Sequence, residues 1–497
     1  MDTSLDKLLS SMKHATREEK ELVSRAYAFA AEAHKDHKRY TGEPYFTHLY
    51  ATARGLADMG ARGAVIAAGL LHDSVEDMGV KSEEIAQHFG EEVRFLVDGV
   101  TKLGSYKYQG MLQHAESLRR ILVATAQDAR VLLIKLMDRR HNMQTLKNFK
   151  PEKKERIAQE TLAIYAPIAD RLGMSELKRE LEDLSFEVLE PEEYAKMQEV
   201  VTKEHSEQME KLEGVRKDIQ KTLGKAGLRA FSTEIRVKGL YSLHKKLERK
   251  KYDLSQIFDI LALRVIVPTI PDCYKVLGLI HSLYRPIPGK MKDYIAFEKP
   301  NGYRSLHTTI LLGDGLVVEM QIRTREMHEL STRGIASHLA YKSAKTRKGV
   351  RDNEKFWFEG LLPLVTKKRT VTVPQPTWMQ DLAHLKDAET SEFESNLLED
   401  FFTHRIFVYT PKGEVVDLPL GATPIDFAYA IHSDVGDHAS GAKVNGKLVQ
   451  LNYKLANGNV IEIVTSKNAK PSTKWLQFVK TAMAKRKIKH ALDAAKQ

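Results

Sequence analysis

The first 195 residues carry apolar residues at helical spacing, and no segment among them alternates polar and apolar residues with a period of two. Such a pattern predicts helices that pack their apolar faces on one another, and it argues against a sheet. A charged segment at 196–224 predicts one further helix, which we expect to be a solvated connector. The first part of the chain is therefore predicted to be an all-α domain over residues 1–195.

The pattern changes after the connector, where short β-rich runs alternate with helical stretches. The runs STEIRVKGL, DILALRVIVP and GLVVEMQIRT are separated by LYSLHKKLERK and PDCYKVLGLIHSLY. This alternation predicts a mixed α/β domain over residues 225–343. The following segment, 344–398, is charged and broken by Pro374 and Pro376, so we expect a linker helix region there.

The last part of the chain predicts a third, small and β-rich domain over residues 399–466. The run RIFVYTPKGEVVDLP reads as two strands around a Pro-Lys-Gly turn. A short helix should follow, capped at Thr423 with Pro424 in its first turn. Residues 467–497 are basic and predict a helical tail.

Charge and cysteine content narrow the class of protein. The formal net charge is +11, which favours polyanionic ligands such as nucleotides or RNA, although a basic surface without a specific partner has the same composition. The single cysteine, Cys273, excludes an intramolecular disulfide framework and is typical of a reducing compartment. No run of about 18 apolar residues occurs. We therefore expect a cytoplasmic protein.

The segment LLHDSVEDMG places His72, Asp73, Glu76 and Asp77 directly after an aliphatic run. On a helix His72 would lie over Glu76 and Asp73 over Asp77, so all four side chains could line one pocket. A metal ion is the ordinary way to hold a histidine and aspartates together in a helical core. The alternative is that these residues are surface charges at a helix end.

Two ligands do not complete a metal site, and His48 in GEPYFTHLY and Asp138 in IKLMDRRHN are the candidates for the others. Imidazole and carboxylate ligands favour a divalent ion of the manganese or iron type over an all-thiolate zinc site. Glu76 and Asp77 would then be available to orient or deprotonate a water molecule.

A second candidate site lies in the α/β region. Cations gather at a strand end and on the next helix, which also carries Ser242, and this arrangement favours a bound phosphate: Arg236, Lys238, Lys245, Lys246 and Arg249. The carboxylates Asp259 and Glu319 occur in β-rich runs, and such a pair beside cations suits metal-assisted phosphoryl transfer. The alternatives are that either carboxylate is an edge-strand charge and that the helix is merely basic and solvated.

The motifs LLHDSVEDMG, RYTGEPYFTHL and LMDRRHNM, in this order, resemble those of the RelA/SpoT homologue family, whose members make and degrade the guanosine alarmones ppGpp and pppGpp in the stringent response. The resemblance implies an HD-type hydrolase domain that binds Mn²⁺ and removes the 3′-pyrophosphate. It assigns His48, His72, Asp73 and Asp138 to the metal, Glu76 and Asp77 to the attacking water, and Arg39 and Asn142 to the nucleotide. Leu49 stands where the family commonly has proline.

The motifs RVKGLYSLHKK, FDILALRVIV, KMKDYIAFEKPNGYRSLHTTI and VEMQIRTREMHE resemble the family's nucleotidyltransferase-like synthetase domain. This resemblance implies pyrophosphoryl transfer from ATP to the 3′-hydroxyl of GDP or GTP. Asp259 would bind Mg²⁺, Glu319 would act as base or second ligand, and Tyr303 would stack on guanine. Further substrate contacts would come from Arg236, Lys238, Ser242, Lys246, Lys292, Lys299, Asn301 and His307. Lys290 and Arg304 depart from the family's usual Arg and Gln.

The segment HRIFVYTPKGEVVDLPLGATPIDFAYAIHSDVG resembles the family's β-grasp-like TGS domain. The resemblance implies contact with uncharged tRNA on the ribosome through His432, and Tyr429 is either a stacking residue or a core residue. Long family members continue into zinc-finger-like and ACT domains, whereas this sequence ends in the basic tail.

We therefore expect a multidomain, bifunctional alarmone enzyme. Opposing reactions in one chain would waste ATP, so we expect reciprocal coupling through the connector helix. Two alternatives remain: an enzyme in which only the hydrolase is active, and a nucleotide sensor that binds tRNA or the ribosome.

Overall fold

The computed structural model describes residues 3–13, 15–39, 42–104, 128–253, 257, 260–299, 301–313, 315–334, 405–456 and 458–494. The chain divides into two compact units, one of residues 1–107 and 128–348 and the other of residues 108–127 and 349–497. Two predictions, Asp259 as a metal ligand and the linker at 344–398, lie outside the described residues.

The N-terminal part of the first unit is helical, as predicted. Its helices are α1 (Leu5–Ser11), α2 (Arg17–Ala33), α3 (Phe46–Asp58), α4 (Gly63–Leu71), α5 (Ser74–Met78), α6 (Ser82–Phe89), α7 (Glu91–Gly104), α8 (Ala129–Gln144), α9 (Pro151–Glu160), α10 (Ala166–Arg171) and α11 (Ser175–Leu189). A π-helical turn, Thr161–Tyr165, joins α9 to α10.

Three of these helices, α3, α4 and α8, pack closely because glycines stand at their crossings. A methyl group at Gly69 would lie 2.5 Å from Leu56 Cδ1, and one at Gly55 would lie 2.9 Å from Met137 Sδ. A methyl group at either position would require Leu56 or Met137 to move its side-chain end. The close packing brings the start of α3, the end of α4 and the middle of α8 beside one another, and the predicted metal ligands lie there.

Helix α12 (Pro191–Lys225) covers the predicted connector, but it is not solvated throughout. Leu212, Val215, Ile219 and Leu223 are buried in the same core as the sheet of the α/β domain. Their spacing of three, four and four residues forms one apolar stripe along the helix. The prediction of a solvated connector was wrong because the few apolar positions of the stripe are difficult to recognise among the many charged residues of this segment.

The α/β domain is built on a mixed sheet with strands β1 (Ser232–Val237), β2 (Leu261–Val267), β3 (Arg285–Pro286), β4 (Lys292–Asp293), β5 (Leu306–Leu311) and β6 (Val317–Thr324). The strand order is β1-β2-β6-β5-β3, and β4 pairs with β5. β2 and β6 run parallel, and the other pairs are antiparallel. The accompanying helices are α13 (Leu240–Arg249), α14 (Ile270–Leu283) and α15 (Arg325–Arg333).

The two faces of this sheet differ in polarity. Leu263, Met320 and Ile310 belong to the buried apolar core on one face. Residues paired across neighbouring strands share a face, so the register places the polar residues together on the other face: Arg236, Arg264, Glu319, Gln321, Arg323, His307 and Thr309. This polar face carries the predicted synthetase residues of β1, β5 and β6.

The second unit contains strands β7 (Arg405–Tyr409), β8 (Val415–Pro419), β9 (Ala439–Val444), β10 (Lys447–Val449) and β11 (Ile461–Thr465), and helices α16 (Pro424–Ile431), α17 (Ser433–Asp437) and α18 (Ala482–Ala494). β7 and β8 form the predicted hairpin, and β10-β9-β11 form a second sheet. A capping box at Thr423 begins α16, as predicted.

Tyr429 is a core residue of this unit. It is 1% exposed, packs in a cluster with Trp475 and Ile488, and donates its hydroxyl hydrogen to Asp437 Oδ1 at 2.8 Å. The basic tail therefore contributes apolar residues to the core, and Tyr429 is not available to stack on RNA.

None of the helices in the described part of the chain is both long enough and apolar enough to cross a membrane.

Candidate active sites

Four predicted metal ligands meet where α3, α4 and α8 end or cross. His48 Nε2 lies 3.3 Å from Asp138 Oδ1 and 3.6 Å from Asp73 Oδ2. His72 Nε2 lies 3.2 Å from Asp73 Oδ2 and 4.0 Å from Asp138 Oδ1. Two histidines and an aspartate of this group, His48, His72 and Asp138, are buried and offer ligand atoms within 4.8 Å of one another. These separations suit one small divalent cation with nitrogen and oxygen ligands about 2.0–2.2 Å away.

The hydrogen bonds behind the two histidines leave both Nε2 atoms free to bind a cation. His72 Nδ1 donates to the carbonyl of Gly69 at 2.9 Å, and its buried Nε2 makes no hydrogen bond. His48 Nδ1 lies 2.8 Å from His141 Nδ1. A metal-binding histidine usually donates its other ring N–H in this way, which fixes the tautomer. The residues present therefore fit a divalent metal.

The charges of the cluster favour a cation. Burial lowers the pKa of His72, but Asp73 and Asp138 outweigh this effect and raise the pKa to about 9. Burial raises the pKa of Asp138, yet Lys135 and the two histidines lower it well below its ordinary value. The negative charges of Asp73 and Asp138 favour a proton on His72 in the absence of metal, and the same charges would attract a divalent cation.

The segment that carries His72 is not one continuous helix, contrary to the prediction. α4 ends at Leu71, His72 and Asp73 form a turn, and α5 begins at Ser74. The turn aims His72 and Asp73 at the cluster, while Glu76 and Asp77 remain exposed at its edge. Burial and the nearby Asp73 raise the pKa of Glu76, which makes it a better proton acceptor.

Arg39 and Asn142 lie next to the cluster and contact each other. Arg39 Nη2 donates to Asn142 Oδ1 at 3.0 Å, and Asn142 Nδ2 donates to Asp138 Oδ1 at 2.5 Å. Arg39 Nη1 also donates to Thr145 Oγ1 at 3.1 Å. The two predicted nucleotide contacts thus form one group with the metal ligand on α8.

Sequence reasoning missed three residues of this site. Tyr45 donates to Asp73 Oδ2 at 2.8 Å, and Lys135 Nζ lies 2.7 Å from Asp138 Oδ2. His141 is buried, and burial together with His48 and Arg39 lowers its pKa to about 3. All three lie in or beside the quoted motifs, three residues from a predicted ligand, so helical spacing was the available signal.

Glu319 lies at the centre of the second site, on β6. Its Oε1 is 2.8 Å from His307 Nδ1 on the neighbouring strand. His307 Nε2 is 2.8 Å from the hydroxyl of Tyr303, which also accepts from Arg323 Nη2 at 2.7 Å. The predicted base, the predicted stacking residue and a histidine therefore form one hydrogen-bonded chain.

Two cations lie over the ring of Tyr303. Lys299 Nζ is 4.9 Å and Arg323 Cζ is 5.1 Å from the ring centroid. Burial lowers the pKa of Lys299 to about 8 and that of Arg323 to about 10. Sequence reasoning missed Arg323, although its position two and four residues after Gln321 and Glu319 placed it on the same face of β6.

The predicted phosphate-binding cations lie on β1, directly after β1, on β4 and on α13. Arg236 is paired with Ala262, which is paired with Glu319, so Arg236 and Glu319 lie two strands apart on the same face. Lys292 is exposed on β4 and paired with His307. Lys238 follows β1 and donates its amide to Ile260. Lys246 lies half-buried on α13.

Two predicted substrate contacts instead face the helical domain. Ser242 donates to Glu182 Oε2 at 3.3 Å, and burial raises the pKa of Glu182 to about 7. Asn301 Nδ2 donates to the carbonyl of Asp170 at 3.1 Å, and Ser175 Oγ donates to the carbonyl of Ser331 at 2.5 Å. The turn before Tyr303 is thus attached to the α10–α11 loop.

In the second unit, His432 is exposed, and its Nδ1 accepts the amide hydrogen of Asp434 at 3.2 Å.

Comparison with known proteins gives these sites a context. Residues 26–175 match the HD domain, residues 235–346 the region found in RelA / SpoT proteins, and residues 406–465 the TGS domain. The chain is 46% identical to a guanosine-3′,5′-bis(diphosphate) 3′-pyrophosphohydrolase of Aquifex aeolicus, with 99% of this chain and 67% of that protein covered. The chain belongs to the RelA/SpoT family.

Other relatives carry names for both activities. The chain is 45% identical to a GTP pyrophosphokinase of Myxococcus xanthus, over 94% of this chain and 60% of that protein. It is 40% identical to the bifunctional (p)ppGpp synthase/hydrolase SpoT of Escherichia coli, over 96% of this chain and 65% of that protein. The HD and synthetase domains fit both activities, and the chain spans about three fifths to two thirds of these relatives' lengths.

Proposed function

We propose that the helical domain hydrolyses ppGpp and pppGpp at the 3′ position, releasing pyrophosphate and leaving GDP or GTP. The observation that carries this proposal is the convergence of two histidine Nε2 atoms with Asp73 and Asp138, beside exposed Glu76 and Asp77. Imidazole and carboxylate ligands suit Mn²⁺. A bound ion would supply positive charge to the pyrophosphate.

The protein's own groups would supply the rest of the chemistry. Glu76, whose pKa is raised, takes a proton from the attacking water, and Asp77 orients that water. Arg39 and Asn142, which are linked to each other and to Asp138, hold the nucleotide. Tyr45 fixes the carboxylate of Asp73 by donating to its Oδ2.

Incubation of the purified protein with Mn²⁺ and ppGpp tests the hydrolase, with GDP and pyrophosphate as the measured products. Asp73→Asn keeps the shape of the side chain but removes its charge, so we expect turnover to be lost. Asp58→Asn, an exposed aspartate of α3 paired with Arg54, is the matched control and should keep full activity. Release of pyrophosphate by Asp73→Asn at the unmodified rate would contradict the proposal.

We further propose that the α/β domain transfers the β,γ-pyrophosphate of ATP to the 3′-hydroxyl of GDP or GTP, releasing AMP. Glu319 takes the hydroxyl proton, or shares Mg²⁺ with ATP, and His307 holds its carboxylate in place. Arg236, Lys238 and Lys246 would bind phosphates, with Lys292 and Lys299 at the acceptor side. The polar face of the sheet supports this proposal because it places Arg236 and Glu319 on one surface.

Formation of AMP and ppGpp from MgATP and GDP tests this second activity. Glu319→Gln should abolish it, whereas Glu213→Gln, a partly exposed glutamate of α12 paired with Arg216, is a matched control. Retained synthesis in Glu319→Gln would contradict the assignment. Absence of synthesis by the unmodified protein, with hydrolysis intact, would favour the enzyme with one active site.

The contacts between the domains support a proposal for reciprocal coupling. Asn301 and Ser331 of the α/β domain hydrogen-bond with Asp170 and Ser175 around the α10–α11 loop. A displacement of this loop by an occupied hydrolase site would shift the turn before Tyr303. This direct contact is an alternative to the route through α12, which sequence analysis favoured.

We propose that the second unit contacts RNA, with exposed His432 as the contact residue. Binding of uncharged tRNA to the full chain, measured by fluorescence anisotropy, should weaken in His432→Ala. Unchanged binding in that variant would contradict the assignment of His432.

A further inference from the structure

His141 contacts both a predicted metal ligand and a predicted nucleotide-binding residue of the hydrolase site. It was not itself predicted for either role. It lies on α8, three residues after Asp138, and is 6% exposed. Its Nδ1 is 2.8 Å from Nδ1 of His48 and 3.2 Å from Nη1 of Arg39. One nitrogen atom thus contacts a metal ligand and a nucleotide-binding arginine.

The identity of these partners fixes the positions of the ring hydrogens. A guanidinium group donates hydrogen bonds and cannot accept them, so His141 Nδ1 must carry a lone pair towards Arg39. His48 Nδ1 then has to be the donor in its contact with His141, because two lone pairs would repel, and the single lone pair of His141 Nδ1 is shared between His48 and Arg39. A neutral imidazole has one N–H, so His48 Nε2 keeps its lone pair and points it at the metal cluster.

We infer that His141 is a positioning residue, which holds His48 in the tautomer that binds the metal. This inference rests on the proposed hydrolase function. His72 obtains the same tautomer from a main-chain carbonyl, Gly69 O, which a side-chain substitution cannot remove. His48 has a side-chain acceptor instead, so its ligand geometry depends on His141.

The test is Mn²⁺ binding to the full chain without nucleotide, with free Mn²⁺ measured by electron paramagnetic resonance. His141→Leu removes the acceptor, and we expect the affinity to fall about 10- to 100-fold. His141→Asn places its Oδ1 near the position of Nδ1, and we expect it to restore binding to within a few fold. His141→Gln places its oxygen further out, so we expect weakened binding even if the Leu variant does not fold.

The matched control is His88→Leu, which removes an exposed imidazole of α6 that contacts Phe29 and Phe89 and should bind Mn²⁺ like the unmodified protein. Unchanged affinity in His141→Leu or His141→Gln, or an Asn variant as weak as the Gln variant, would overturn the inference. Because these measurements need no substrate, they are separate from the hydrolysis assay, whose failure would overturn the proposed function instead.

Discussion

Gly173 lies where the helical domain contacts the turn that precedes Tyr303, and its substitution by alanine tests the coupling contact. Its φ angle is +73°, and a methyl group added there would lie 3.0 Å from the carbonyl oxygen of Asn301. The left-handed conformation costs a non-glycine residue about 1 kcal/mol or more. The close contact adds a second effect, since Asn301 must move by a few tenths of an ångström.

Gly227 is the matched control, because it separates these two effects. Its φ angle is +81°, but no heavy atom lies within 4 Å of an added methyl group. Gly227→Ala therefore has the conformational cost without displacing Asn301. Both variants should lower the melting temperature of this unit by about 2–4 °C. Only Gly173→Ala should change the geometry of the synthetase site.

Steady-state synthesis of ppGpp from MgATP and GDP measures the difference. We expect kcat/KM for GDP to fall about tenfold in Gly173→Ala, because small misplacements of positioning groups are costly to rate. In Gly227→Ala it should stay at the unmodified value. Equal kcat/KM values in the two variants would refute the reasoning that the α10–α11 loop positions the turn carrying Asn301.

Three further predictions concern single groups. Tyr45→Phe removes the hydrogen bond to Asp73, and Mn²⁺ affinity should fall about tenfold by calorimetry; unchanged affinity would show that this bond does not orient the ligand. Glu76→Gln should lower kcat for ppGpp hydrolysis by about 10²- to 10⁴-fold while Mn²⁺ affinity is kept, and a loss of affinity would instead make Glu76 a ligand. Burial lowers the pKa of Lys299 to about 8, so its positive charge is lost as pH rises through 8; kcat/KM for GDP should fall over the same range, whereas Lys299→Met should show no such fall.

Much of the fold was predictable because each domain has its own periodicity. Helical spacing up to residue 195 and β-rich runs after residue 225 correspond to the helices and the mixed sheet that the structure contains. The connector was misjudged because its buried positions, Leu212 to Leu223, are few among many charged residues. A sparse apolar stripe on a long helix is visible only when its spacing is examined position by position.

The arrangement of the site was predictable for the motif residues that come together, and less so for the residues that contact them. His48, His72 and Asp138 were named from the sequence, and the structure brings them together. Tyr45 and His141 were missed because their roles depend on which atoms they meet across the helix packing. The turn at His72 and Asp73 was missed because a helical pattern does not reveal a local break.

We propose that one chain carries two separate sites with opposite reactions. The most direct measurement tests Asp73→Asn and Glu319→Gln in both assays. Each variant is incubated with Mn²⁺ and ppGpp to measure hydrolysis and, separately, with MgATP and GDP to measure synthesis. We predict that Asp73→Asn loses only hydrolysis and that Glu319→Gln loses only synthesis. Loss of both reactions in either variant, or turnover in neither assay by the unmodified protein, would contradict the account.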